Sequence, residues 1–195
     1  MSEPLAHLYA QRVSRFGASA IREICKLASR PEVKSLAGGW PDPATFPTEA
    51  VKDALAKALE RSAAKVLQYG TTEGLPELRQ ELAQWIGSYD GTVLDPDSLI
   101  IVHGSQQGMD LAARTLLNRG DVAIVGLPTY FGGTGAWLSS GAEVVGVPSD
   151  DDGLSTDALE ATLRDLQRVS RTVKLVYAIP NFDNPKGATL PLERR

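Results

Sequence analysis

The sequence predicts an α/β fold: a three-layer, mostly parallel, doubly wound sheet preceded by an N-terminal helical segment. Three observations predict it. Short aliphatic runs at 99–103, 122–127, 143–148 and 173–179 each read as a buried strand. Segments of helical apolar spacing lie between them, at 105–118, in the stretch ending near 139, and at 156–168. Strands that alternate with helices imply parallel neighbours, because a parallel pair needs a long crossover. The chain has 195 residues, 43% of them hydrophobic, which is enough for one sizeable core and is a globular composition.

In chain order, Pro4 to Val13 reads as a short helix. Ser19 caps a second, Ala20 to Ala28, with Ile21, Ile24 and Leu27 on its apolar side and Arg22 on the polar one. The stretch 35–43 holds two glycines and two prolines, so it is a shaped loop. Thr48 caps a helix running to about Ser62, with Val51, Leu55, Ala58 and Leu59 as the buried stripe. A polar loop, Gln68 to Gly74, carries one aromatic, Tyr69. Pro76 suits the first turn of the next helix, whose Leu78, Leu82, Trp85 and Ile86 point inward. Asp95-Pro96-Asp97 is a turn. A glycine at 120 follows helix 105–118, a turn spans Asp150 to Gly153, and the last strand ends in a Pro/Asn-rich loop, 180–187. The domain reading is an N-terminal helical arm with a substrate loop, 1–47, and a larger sheet domain, 48–195.

The net charge is −4 with no basic block, which argues against a nucleic-acid partner. The single cysteine, Cys25, forms no internal disulfide and fits a reducing compartment. Met1 to Arg15 lacks the apolar core of a signal peptide, and no apolar run approaches the ~20 residues of a membrane span. The expectation is a soluble cytoplasmic protein with no membrane partner and no metal site.

The stretch Leu99 to Asp110 is the centre of the reading. An apolar run stops at Gly104, which permits a tight turn, and Ser105 reads as the N-cap of a helix. The first N–H groups of such a helix lack intrahelical partners and carry the positive end of the dipole, so they suit a phosphate. No Gly-Lys-Ser/Thr follows, and no GxGxxG is present, so neither nucleotide-binding fingerprint applies. An ordinary strand-to-helix turn is the plain alternative. In doubly wound sheets ligands gather at the carboxyl ends of strands, where Gly104–Gln107, Pro128–Tyr130 and Asn181–Gly187 would lie.

These loops also carry a resemblance. The ordered set Ala37-Gly38-Gly39, Pro41-Asp42-Pro43, Phe46-Pro47, Gln68-Tyr69-Gly70, Glu73-Gly74, Leu78-Arg79, Gly104-Ser105-Gln106-Gln107, Pro128-Thr129-Tyr130, Pro180-Asn181-Phe182, Asn184-Pro185 and Gly187 resembles the fold-type I pyridoxal-phosphate-dependent aminotransferases, class I/II. It is most similar to the branch that holds 2-aminoadipate aminotransferases and the aminotransferase-like domains of MocR regulators. The resemblance runs from about residue 14 to the end. It implies that the sheet domain is part of the family's large cofactor-binding domain and that the cofactor is pyridoxal 5'-phosphate. It implies Ser105 and Gln106 on the phosphate, Tyr130 stacked on the ring, and Asn184 on the ring's phenolic oxygen. Tyr69 would reach the phosphate of a neighbouring subunit, so a homodimer is implied. Gly39 would lie against the substrate α-carboxylate and Arg22 near its side chain. The implied activity is amino-group transfer between an amino acid and a 2-oxo acid in a ping-pong cycle. A ligand-sensing module of the MocR type, or a lyase or synthase on the same fold, is the alternative.

The family also needs a Schiff-base lysine, an aspartate on the pyridine nitrogen and an arginine for the substrate carboxylate. All three are expected beyond the region matching Arg195, so no catalytic residue is assigned and this chain alone is expected to be inactive. Lys186 stands where relatives carry Thr or Ser and is not expected to replace that lysine; nor is Lys174. Gly126, Asp183 and His103 depart from the usual acid, Gln and Thr, and His103 is read as a packed strand-end residue. In the family's strand order, later strands separate the run at Leu99 from the strand ending at Ile179, so two strand edges would lose their partners here.

Overall fold

The structure, a computed structural model, describes residues 6–10, 30, 32–34 and 41–195. The expected helix at 20–28 and most of the shaped loop at 35–43, with Arg22, Cys25, Gly38 and Gly39, lie outside the described residues. Of the expected helix at 4–13, Ala6–Leu8 is a short 3-10 turn. The chain divides into two compact units, one of residues 18–102 and one of residues 103–195 with 1–17.

In the first unit, Asp42 caps a 3-10 turn at Pro43–Thr45, its carboxylate accepting from the Ala44 N–H at 2.9 Å. Helix α1 spans Thr48–Leu67, with Thr48 as its first residue and Pro47 before it. Its backbone breaks at Ser62 (φ −165°, ψ 67°), where the sequence predicts the end, and then resumes for one more turn. Helix α2 spans Pro76–Asp90 with proline in its first turn, and Gly91 ends it in the left-handed conformation (φ 74°).

The expected buried stripes of both helices are corrected. Val51, Leu55 and Leu59 are exposed, as are Leu78 and Trp85; Leu82 and Ile86 are half-buried, and Ala83 is the buried residue of α2. A stripe is buried only where another surface meets it, and these faces are covered only in part. Arg79 instead sinks toward the turn at Pro96–Ser98, donating to Pro96 O (2.8 Å) and Asp97 Oδ1 (3.0 Å).

The expected strand at 99–103 is also corrected: the segment is extended but unpaired in any sheet. A strand needs a ladder, and here two separate backbone bonds, Leu99 N–H to Pro96 O at 3.2 Å and Ile101 N–H to Glu73 O at 2.9 Å, stand in its place. Gly74 (φ +100°) lies so close to Ile101 that an added Cβ would sit 2.6 Å from the Ile101 Cβ. His103, read as packed, is exposed.

The second unit is the sheet. Helix α3 (Ser105–Leu116) precedes β1 (Val122–Leu127), α4 (Phe131–Ser139), β2 (Glu143–Asp150), β3 (Gly153–Leu154), α5 (Thr156–Arg168) and β4 (Val173–Tyr177). The sheet order is β3-β2-β1-β4. β1 pairs in parallel with β2 (Val122 to Glu143 through Leu127 to Pro148) and with β4, whereas the two-residue β3 runs antiparallel to β2. Ser155 caps α5, accepting from the Ala158 N–H at 3.3 Å. The chain ends in a 3-10 turn at Leu192–Arg194.

Two cores lie on opposite faces of β1. Ala123 and Val125 pack with Ala113 and Leu117 of α3 and with Ala136 and Trp137 of α4. Val122 and Ile124 pack with Val147, Leu154 and Leu190 and with Ala158, Leu159 and Leu166 of α5. Alternation along a strand directs successive side chains to opposite faces, so β1, covered on both, is apolar throughout. The architecture is the expected three layers. Leu116 of α3 is half exposed, although the apolar spacing of 105–118 includes it. Among the described residues, the outer edge of β4 has no strand partner.

Candidate active site

The crossovers after β1 and β2 use helices on opposite faces, so the connections diverge at β1 and β4. In such sheets the crevice outside the carboxyl ends at this point is where ligands bind. Three segments converge there: the first turn of α3, the residues after β1, and the loop after β4.

Gly104 precedes α3 with φ 79° and ψ 167°, a conformation essentially reserved for glycine. Ser105, expected as the N-cap, is instead the first helical residue; Gly104 holds the cap position and no side chain caps the helix. Gln107 reaches back instead, its Oε1 accepting from the His103 N–H at 2.6 Å. The N–H groups of the first turn have no intrahelical partner, and a Cβ built on Gly104 would meet nothing within 4 Å. Ser105 and Gln106 are exposed there. Gln106 Nε2 donates to Gly132 O in the first turn of α4 at 3.1 Å, which ties the start of α3 to the residues after β1.

Tyr130 immediately precedes α4 and is half-buried, its ring 5.3 Å from that of Phe131. Gly132 makes its seat. A Cβ at 132 would lie 2.5 Å from Tyr130 Cζ and 2.6 Å from Gln106 Oε1. A glycine is therefore needed for the ring and the amide to share that space. Gly133 does the same for Tyr177, whose Cε1 would be 3.2 Å from its Cβ.

Asn184 sits in the loop after β4, exposed, ahead of a cis bond to Pro185. The loop closes on itself: Asp183 N–H donates to Ala188 O (2.7 Å) and Gly187 N–H to Asp183 O (2.5 Å). Beneath it a cavity of about 10 Å³, room for a single water, is lined by Thr129, Ser149, Tyr177 and Asp183. Burial, the Tyr130 hydroxyl and the Asp183 carboxyl push the Tyr177 phenol above its ordinary range. Burial raises the Asp183 carboxyl, against the Asn184 N–H and the Lys186 ammonium, which favour its charged form.

Thus Ser105, Gln106, Tyr130 and Asn184 lie at one end of the sheet unit. Tyr69 belongs to the other unit, where it is 98% exposed. Gly39 and Arg22 are outside the described residues. Lys186 Nζ donates to Asp150 O (2.7 Å) and Ser149 O (3.2 Å). Lys174 is an exposed residue within β4. Sequence reasoning missed Gly132, Tyr177 and Asp183 as parts of the site. The signal for the first was present: three glycines in the nine residues of α4 are unusual in a helix. Among the described residues no cluster could hold a metal ion, and no helix is long and apolar enough to cross a membrane.

Residues 36–194 match the family model described as aminotransferase class I and II. The chain is 40% identical over 187 residues to the aromatic-amino-acid aminotransferase 1 of Thermococcus litoralis, covering 96% of this chain and 45% of that protein. It is 36% identical over 187 residues to the 2-aminoadipate transaminase of Thermus thermophilus, covering 96% and 44%. Among solved structures, the Pyrococcus horikoshii kynurenine aminotransferase, in complex with PMP, superposes with a TM-score of 0.90. It is 37% identical and covers 98% of this chain and 47% of that one. The chain spans about half the length of the relatives it matches.

Proposed function

Because the chain belongs to the class I and II aminotransferase family, we propose that it forms the N-terminal half of a pyridoxal-phosphate-dependent enzyme that moves an amino group from an amino acid to a 2-oxo acid. The observation that carries this is the Gln106–Gly132 hydrogen bond, which sets an uncapped helix start beside the seat of an aromatic ring. A ligand with an anionic tail and a flat ring needs those two features side by side.

The residues present fit that group. The uncapped N–H groups at the start of α3, with Ser105 and Gln106, would hold its phosphate; the dipole contributes about 0.3–1 kcal/mol there, up to about 2 when partly buried. Tyr130 would lie against the ring, and Asn184 would donate to the phenolic oxygen. When bound, the cofactor supplies the electron sink that stabilises charge at the substrate Cα. The role of this chain is to fix phosphate and ring so that the Cα–H bond is held in one orientation. Gly39 would approach the substrate carboxylate and Arg22 its side chain. Tyr69, exposed on its loop, suits a reach to the phosphate site of a second copy, and the enzyme would be a cytoplasmic homodimer. The Schiff-base lysine would come from the half of the family not represented in these 195 residues. The neighbour that carries PMP supports the cofactor, and the relatives' names support amino transfer.

The test uses the full-length protein that contains this chain. It should bind pyridoxal phosphate with a visible band that borohydride abolishes, and it should release a 2-oxo acid from an amino donor only when a 2-oxo acid acceptor is supplied. Release without an acceptor would replace transfer by elimination, and no band would end the reading.

A further inference from the structure

Lys186 occupies a position in the loop after β4 that the proposed function leaves without a role. The loop 181–188 carries Asn184 and is closed on itself by Asp183–Ala188 and Gly187–Asp183 backbone bonds, with Phe182 N–H on Thr189 Oγ1 at 3.2 Å. Its first residue is tied to the C-terminal turn, Arg195 Nη2 donating to Asn181 Oδ1 at 2.5 Å, ahead of Asn184. Among the described residues, the hydrogen bonds that fasten it to another strand both come from Lys186: 2.7 Å to Asp150 O and 3.2 Å to Ser149 O, at the carboxyl end of β2. That end of β2 is itself fixed, since Arg194 donates to Asp150 Oδ1 at 2.7 Å.

We propose that Lys186 is a positioning residue: by gripping two carbonyls of β2 it holds Asn184 at the ring of the cofactor. This rests on the reading of Asn184 given under Proposed function. The geometry also separates this role from nucleophilic chemistry. Two of the three ammonium donors are spent on carbonyls, whereas a nucleophile needs its lone pair free and aimed at the ligand. A lysine suits the task because its long stem spans from the loop to β2 and its several donors satisfy two acceptors at once.

The experiment uses the full-length holoenzyme and two readouts, the pH midpoint of the visible cofactor band and the dissociation constant of pyridoxal phosphate. Lys186→Met should move the midpoint in the same direction as Asn184→Ala and raise the dissociation constant about 3- to 10-fold, roughly the net worth of one hydrogen bond. Lys186→Arg, which keeps the charge and the donors, should restore both. Lys186→Gln, with fewer donors, should fall between and serves if the methionine variant does not fold. In an Asn184→Ala background Lys186→Met should add nothing further. The proposal is overturned if Asn184→Ala moves the midpoint and the Lys186 variants do not, or if Lys186→Met acts equally in both backgrounds. If Asn184→Ala itself changes neither readout, it is the underlying assignment of Asn184 that fails.

Discussion

Replacing Gly132 with alanine places a methyl carbon 2.5 Å from Tyr130 Cζ and 2.6 Å from Gln106 Oε1. Carbon atoms settle at about 3.5–4.0 Å from one another, so the ring must move by about 1 Å. Tyr130 is half-buried and can swing outward, which spares the fold but vacates its position. Gln106 must also release Gly132 O. The lost ring contact is worth about 0.5–1.5 kcal/mol and the lost hydrogen bond about 0.5–1.5 kcal/mol. Together that is about 1–3 kcal/mol, or about 5- to 150-fold in cofactor affinity. The assay is a spectroscopic titration of the full-length apoenzyme with pyridoxal phosphate, with a melting curve of each apo variant. Gly135→Ala is the matched control in the same helix, because a Cβ there meets nothing within 4 Å. It should leave affinity unchanged and stabilise the protein by about 0.4–1 kcal/mol. If Gly132→Ala binds within about twofold of wild type, or if both variants lose affinity alike, the ring is not seated where the argument puts it.

Three further outcomes are expected. Gly126→Ala brings a Cβ to 2.9 Å from Ser149 Oγ and 3.2 Å from Leu154 Cδ1, and should destabilise by about 1–3 kcal/mol in urea; a neutral result would mean β3 yields freely. The Asp183 carboxyl is raised above 3.8 by burial, so the folded state holds its proton more tightly, and stability falls as pH rises through 3.8 into the folded value. Asp183→Asn should therefore melt like wild type near about pH 3 and above it near about pH 6, by less than about 1 kcal/mol given solvent screening; equal melting at both refutes the assignment. The Asp150 carboxyl, held below 3.8 by Arg194, works in the opposite sense: its contribution is present above 3.8 and lost as pH falls through the lower folded value. Hydrogen exchange at the Leu190 N–H, which donates to Pro180 O, should speed up over that acid range and lose this dependence in Asp150→Asn.

Much of the sheet unit was legible because its signals are local. The aliphatic runs of β1, β2 and β4 and the 3.6-residue period of α5 mark these elements to within two residues. β3 was not legible, since two residues carry no period. The run at Leu99 to His103 has the chemistry of a strand but no neighbour to pair with, and a sequence shows the first without the second. The same holds for Val51, Leu55 and Leu59, whose helical spacing is real and whose cover is only partial. In the candidate site, Gly104 and Ser105 could be read from a turn followed by a helix. The seat of Tyr130 could not, because Gly132 matters through a close approach between α3 and α4 that no spacing encodes.

β1 is hydrogen-bonded on both sides, and Val122 to Val125 are shut away from water on both faces. Its first partner, β2, follows within one short crossover, and loop closure over such a span is entropically cheap. The parallel β1–α4–β2 crossover is complete first in chain order, and β4 can join only after α5 has been made. During synthesis the middle of the sheet leaves the ribosome before one of its flanks, so the nascent chain carries an open ladder on β1 until residues 173–177 emerge. A translational pause between α4 and α5 would lengthen that exposure, and a chaperone bound there would find its template on β1.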